Sequence, residues 1–293
     1  AGCSCALVYS QLMGVYAPAQ IVRDAREHGV ETRPVDVNAS DWDCTLEPGR
    51  NSHPALRLGF RQVKACRQAD IERLMAARGQ GFATLRELWR RTGLSPSALE
   101  TMARADAFAS MGLDRRSALW QVKGLEAAPL PLFAHAEATL RPGANMPPPD
   151  LANEPAVLLP AMTLGEQVIE DYAELRLSLK SHPLALLRQR MNQRGIVTNA
   201  RLPYLPNDRR VDIAGLVLVR QRPGTASGVI FATLEDETGI ANIIIWPKTF
   251  ERFRRIVLGS RLLGVRGKLQ REGLVIHVIA DWLQDLSPDL RLL

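Results

Sequence analysis

Residues 211–247, VDIAGLVLVRQRPGTASGVIFATLEDETGIANIIIWP, carry the pattern that decides the fold. Three runs rich in β-branched residues, at 212–220, 229–235 and 240–245, are separated by a Pro-Gly segment after Arg222 and by a polar turn around Asp236. Runs of this kind bounded by turn residues read as strands. Beyond them, 248–257 has the spacing of an amphipathic helix, and 261–270 and 274–283 read as two more strands. Five strands with a helix between the third and fourth give the order of an OB-fold barrel.

Alternation assigns the faces of these strands. In the second strand Ile230, Ala232 and Leu234 are expected to point inward, and Val229, Phe231, Thr233 and Glu235 outward. Phe231 then stands as an aromatic on the more polar face. It is a candidate for stacking on a nucleobase, with packing at the barrel edge as its other reading. Trp246, at the end of the third strand, is a second candidate that could equally belong to the core. Arg220 and Arg222 lead into the first loop, Lys248 opens the helix, and Arg266, Lys268 and Arg271 lie on the fourth strand and its turn. Cations interleaved with aromatics on such a face suit single-stranded nucleic acid, although the same fold also binds oligosaccharides and proteins.

Working toward the N-terminus, 196–286 is expected to be the barrel domain and 287–293 a tail. Residues 126–195 are expected to form a connector: Pro129, Pro131, Pro142, Pro147, Pro148, Pro149, Pro155 and Pro160 forbid sustained helix or central strand over its first half. A helix over 164–179 follows, then an interruption at His182-Pro183 and a resumption over 184–191. Residues 55–125 read differently, as short helices at 69–77, 82–91, 96–103 and 115–122 with tight connections. In Arg91-Thr92-Gly93-Leu94-Ser95-Pro96, Gly93 suits a left-handed helix end, Ser95 a cap for the next helix, and Pro96 its first position. This is the signature of a helix-hairpin-helix, whose backbone N–H groups face a phosphate without reading sequence. An ordinary pair of antiparallel helices uses the same capping chemistry. The candidate DNA contacts of this region are Lys64, Arg67, Gly93, Ser95, Arg115 and Arg116. Residues 1–54 are expected to form a separate α/β segment, with a helix over 17–29 and a strand over 31–37.

The net charge of +6 is unevenly spread. Residues 55–125 hold thirteen basic and six acidic groups, and residues 196–293 fourteen and ten, whereas 1–54 and 126–195 are mildly acidic. Two basic blocks are what two modules following a phosphate backbone require. No apolar run approaches the roughly 20 residues of a membrane helix. The opening Ala1-Gly2-Cys3-Ser4-Cys5 has no basic or apolar leader pattern, so a cytoplasmic protein, and a part of a longer one, is expected. Cys3, Cys5, Cys44 and Cys66 show no metal-ligand spacing and are expected to be reduced thiols. Asp41-Trp42-Asp43 has the spacing of a metal-binding carboxylate pair but no third acidic neighbour on a strand. Glu235 and Glu237 flank Asp236 in what reads as a turn. There is no Gly-rich phosphate loop and no nucleophile motif, so no catalytic residue and no cofactor or metal are expected within these residues.

Several stretches carry a family resemblance. YSQLMGVYAPAQIVRDAREHGVETRPVDVNASDWDCTLE (9–47), LRLGFRQVK (56–64), LETMARADAFASMGLDRR (99–116), LSLKSHPLALLR (177–188) and residues 211–247 resemble, in order, the C-terminal region of the error-prone branch of the bacterial replicative DNA polymerase III alpha-subunit family. The resemblance implies an α+β multidomain chain: the end of a fingers region, a tandem helix-hairpin-helix module, a connector and an OB barrel. It also implies a complete protein that extends DNA with Mg2+ in damage-induced repair synthesis, its catalytic carboxylates lying in a palm ahead of these residues. Duplex and single-stranded DNA are the implied partners, with other translesion or replication proteins beside them. The alternative is an interaction module that docks such proteins through its barrel and connector. One departure concerns Ala65 and Arg67, near positions where the family usually has Gly; without it the first hairpin is expected to approach phosphate less closely.

Overall fold

The computed structural model describes residues 18–50, 53–125, 159–224, 228–272 and 275–293. The expected Pro-rich connector over 126–158, Cys3 and Cys5 lie outside these residues. Two compact units emerge: one takes the described residues up to Met162 together with Glu170–Leu179, the other Thr163–Ile169 and Lys180–Leu293.

In the first unit, α1 (Pro18–Glu27) leads through Gly29, at φ +77°, into a small sheet of β1 (Thr32–Arg33), β2 (Thr45–Pro48) and β3 (Pro54–Arg57). The order is β1-β3-β2, with β1 parallel and β2 antiparallel to β3. The strand expected over 31–37 stops after two residues. Pro34 has no N–H for a ladder, and Asp36 turns the chain by accepting from Asn38 N–H at 2.8 Å. Four helices follow: α2 (Gln68–Arg78), α3 (Leu85–Thr92), α4 (Pro96–Arg104) and α5 (Arg115–Leu125). Val35, Val37, Leu56, Leu58, Phe60, Leu74, Leu88 and Met102 share one core, so the expected boundary between 54 and 55 separates no two bodies. The Asp41–Asp43 pair serves this unit as ion-pair partners, Asp41 with Arg78 and Asp43 with Arg61, each at 3.0 Å.

Glu47 on β2 clasps β3 and β1. Arg57 grips both its carboxylate oxygens, at 2.8 and 3.0 Å, and Arg33 donates to one at 2.7 Å. These guanidiniums, Arg57 foremost, hold the Glu47 carboxyl below its ordinary range. A carboxylate with a depressed folded pKa contributes stability above its unfolded value, and that contribution drains away as pH falls through the folded one. We therefore expect Glu47→Gln to destabilise the protein by about 1–2 kcal/mol at neutral pH. By pH 3 the gap to the parent should have narrowed, as checked by urea titrations along a pH series; a gap constant with pH would contradict this account.

α6 (Leu164–Leu175) ends sooner than its periodicity predicts, because Arg176 takes a left-handed φ of +61°; the second unit takes its first turns, to Ile169, and resumes at Lys180. The His182 ring caps α7 (Pro183–Gln193) by accepting from Leu184 N–H at 3.2 Å. The barrel is β4 (Arg210–Gln221), β5 (Ile230–Asp236), β6 (Gly239–Ile245), β7 (Leu262–Glu272) and β8 (Val275–Asp285), with α8 (Pro247–Gly259) between β6 and β7. It closes in the order β4-β5-β6-β8-β7. Its interior is filled by Ile213, Ala232, Leu234, Ile243, Val265 and Val278, and α8 plugs one end with Phe250, Phe253 and Val257. Leu184, Leu187 and Met191 of α7 pack outside the barrel on Ala214, Leu262 and Leu286. The expected tail is a 3-10 helix, Ser287–Leu292.

Ile230, Ala232 and Leu234 point inward and Phe231 outward, as alternation predicts. Glu235 and Val229 depart from it, being 3% and 7% exposed. Glu235 does face out of the barrel lumen, but residues ahead of the barrel cover it: His182 Nε2 lies 4.0 Å from its carboxylate.

Candidate nucleic-acid interface

The second hairpin of the first unit is built as its sequence requires. Gly93 takes φ +62° and its N–H closes α3 on Trp89 O; Ser95 Oγ accepts from Ala98 N–H at 3.2 Å. Leu94, 1% exposed, pins the turn to the core and leaves Gly93, Ser95 and Ser97 at the surface. The pattern recurs at Gly112-Leu113-Asp114, a Gly-Leu-cap repeat of Gly93-Leu94-Ser95 that is legible in the sequence. Gly112 is left-handed at φ +72°, and Asp114 accepts from Ser117 N–H at 2.7 Å. That hydrogen bond keeps the Asp114 carboxyl below its usual range. An ionised carboxylate already occupies the start of α5, so of the two turns only the one capped by neutral Ser95 leaves a helix start free of negative charge for phosphate.

The first hairpin precedes α2. Ala65 adopts φ +59°, the left-handed conformation that Gly takes without strain, whereas Arg67 is extended at φ −102° and needs no Gly. Lys64 and Arg67 are exposed. Arg116 is half-buried and donates to Pro160 O. Arg115 corrects the sequence reading: it is 3% exposed and ion-paired with Asp171, which also accepts from Ser178 Oγ at 2.7 Å. It reaches no phosphate. Arg91 likewise serves the fold, bridging Glu87 at 2.7 Å and the carbonyls of Arg78 and Gly81.

On the barrel, the strand register aligns a belt of outward positions, since cross-strand partners share a face. Gln221 pairs with Phe231, Phe231 with Ile244, Ile244 with Ile279, Ile279 with Lys268, and Lys268 with Arg210. A second row runs Val219, Thr233, Asn242, His277 and Gln270. Phe231 is 37% exposed and Trp246, just past the end of β6, 50%, so Trp246 is not a core residue.

The cations divide into two kinds. Arg266 pairs with Asp212 and Lys268 with Asp208, each at 2.7 Å, and Arg271 donates to the carbonyls of Pro203 and Leu205. Arg220 donates to Ser260 O, and its burial pushes the guanidinium pKa down. Arg222 and Lys248 are exposed at the α8 end, Arg222 with its guanidinium 5.8 Å from the Phe250 ring centre. Among the described residues no three His, Cys, Asp or Glu side chains converge as a metal site. No described helix is long and apolar enough to cross a membrane.

A helical module with a capped hairpin turn and a closed five-stranded barrel bearing exposed aromatics together define a nucleic-acid-binding protein. Residues 29–118 match the helix-hairpin-helix motif, and residues 211–286 the OB-fold nucleic acid binding domain. Over 98% of its length the chain is similar to an error-prone DNA polymerase of Ruegeria pomeroyi (54% identical, 25% of that protein), to error-prone DNA polymerase 1 of Rhizobium meliloti (52%, 27%) and to an error-prone DNA polymerase of Sinorhizobium medicae (51%, 27%). By sequence the chain matches a part of the error-prone DNA polymerases over nearly its whole length. It spans about a quarter of the length of these relatives.

Proposed function

We propose that this chain is the DNA-holding portion of an error-prone, damage-tolerant polymerase of the cytoplasm. The hairpins at 64–67 and 93–95 hold the duplex backbone, and the outer barrel face around Phe231 holds the single-stranded template. Incorporation of deoxynucleotides, with Mg2+, is the work of the complete protein, and no step of it is assigned to the described residues. Phe231 carries the reading: an aromatic held outward near the start of its strand in a closed barrel, flanked by Ile244 and Gln221, offers a ring face to a base.

Fluorescence anisotropy of the chain with labelled single-stranded and primed DNA at two salt concentrations tests it. Affinity should fall steeply with salt, since the contacts are to phosphate. Phe231→Ala should weaken single-strand binding about tenfold, stacking being worth about 1–3 kcal/mol per base, and leave duplex binding near the parent value. No DNA binding at low salt would remove this reading and favour the docking of protein partners through the barrel.

A further inference from the structure

Helix α8 buries Phe250, Phe253 and Val257, positions i, i+3 and i+7, in the end of the barrel. The opposite stripe of the same helix, Lys248, Arg252 and Arg255 at i, i+4 and i+7, is exposed and entirely cationic. Lys248, Arg252, Arg254 and Arg255 of α8 and Arg222 of the loop before β5 are set against one acidic residue within the helix, Glu251, which sits 3.8 Å from Arg254 with both side chains more than half exposed. Of the five, only Arg254 has a carboxylate partner among the described ion pairs.

This differs from the barrel wall, where Arg210, Arg266 and Lys268 each have an aspartate as partner. Around α8 the guanidiniums lie over rings instead. Arg252 is 5.0 Å from the centre of Trp282 and 5.1 Å from that of Phe253; Arg222 and Arg254 are 5.8 and 5.5 Å from that of Phe250. Stacking on a ring restricts an arginine's rotamers while leaving its in-plane N–H donors unspent, which suits it to a phosphate. Phe253 and Trp282 meet edge to face at 5.0 Å, so the platform under Arg252 is itself fixed, and Trp282 stays 47% exposed beside it. The patch is continuous with the barrel's outer face. Trp246 is the cap residue of α8, and the loop at Gly228 lies against Arg222 and Pro247.

We propose that the outward stripe of α8, with Arg222 and Arg254 beside it, grips the phosphate backbone of the DNA strand that leaves the Phe231 face past Trp246. The helix that closes the barrel is then a second contact surface as well as a plug. This rests on the reading of the chain as a DNA binder, and the test separates the two. Binding of the whole chain to a labelled oligo-dT is followed across a salt series, for the parent, for Phe231→Ala, and for the double variant Lys248→Gln with Arg255→Gln, whose side chains touch no ring. The double variant should bind about tenfold more weakly at moderate salt, and the slope of log affinity against log salt should shrink by about 1.4, at about 0.7 per phosphate contact on a single strand. The triple reversal Lys248→Glu, Arg252→Glu and Arg255→Glu should weaken binding more than a hundredfold while unchanged far-UV circular dichroism shows the fold intact. Unchanged affinity or slope in the double variant, with Phe231→Ala still weakened, overturns the α8 surface and leaves the outer-face reading standing. Failure of the parent chain to bind overturns both. Unaltered DNA binding with lost binding of poly-glutamate would make the patch a protein-docking surface and overturn the proposal.

Discussion

Arg115→Ala is expected to lower the stability of the helix-hairpin-helix unit by about 3–5 kcal/mol, the range for breaking one side of a buried ion pair. Arg115 is 3% and Asp171 5% exposed, and the pair joins α5 to the segment Glu170–Leu179 that packs in the same unit. Truncating the arginine leaves Asp171 buried with Ser178 Oγ at 2.7 Å but without its countercharge. Replacing both partners, Arg115→Met with Asp171→Leu, should recover most of the loss, because no charge then stays buried. Urea unfolding of the two variants distinguishes this role from a phosphate contact. A single variant that unfolds like the parent yet loses DNA affinity would restore Arg115 to the interface.

The same residue shows where sequence reasoning stops. Its partner lies 56 positions away, and nothing in the local pattern around Arg115 separates it from Arg116 beside it, which is half-buried and turned to Pro160. The strands were legible because a period of two, broken by Pro-Gly and Asp-Glu-Thr-Gly turns, leaves little choice of element or face, and α8 because its apolar residues recur at helical spacing. Ile230, Ala232 and Leu234 followed from that period alone. Glu235 did not, since alternation says which side of the barrel a residue faces but not what covers that side. Here the cover comes from His182, more than fifty residues earlier. The cations divide in the same way. Arg266 and Lys268 look like phosphate ligands in sequence, but their aspartates, Asp212 and Asp208, come from the far side of the barrel's closure. The stripe Lys248, Arg252, Arg255 was open to a helical reading at spacing i, i+4, i+7; what the sequence withheld was that none of the three has a carboxylate partner among the described ion pairs, and that rings lie beneath Arg252.

Asp236→Asn is expected to cost about 3 kcal/mol, although the change is nearly isosteric. Asp236 is fully buried and stands where the polar turn between the second and third strands was expected. One of its oxygens accepts from Thr238 N–H and Oγ, both at 2.7 Å, and from Gly239 N–H at 2.9 Å; the other accepts from Asn199 N–H at 2.7 Å, with Arg188 at 3.4 Å. Each of these partners is a donor. An asparagine amide, whichever way it is turned, sets an NH2 against at least one N–H, and its neutral oxygen answers the rest less strongly. The loss falls on the turn that sets β5 against β6, and therefore on the register that places Phe231 opposite Ile244. Glu237→Gln, which alters only a partly exposed partner of Arg188, should cost less than half as much. Thermal melts of the two variants, read beside single-strand binding of Asp236→Asn at temperatures approaching its midpoint, check the assignment. If Asp236→Asn melts within about two degrees of the parent, the donors have found other partners and the turn is held by the backbone ladder alone.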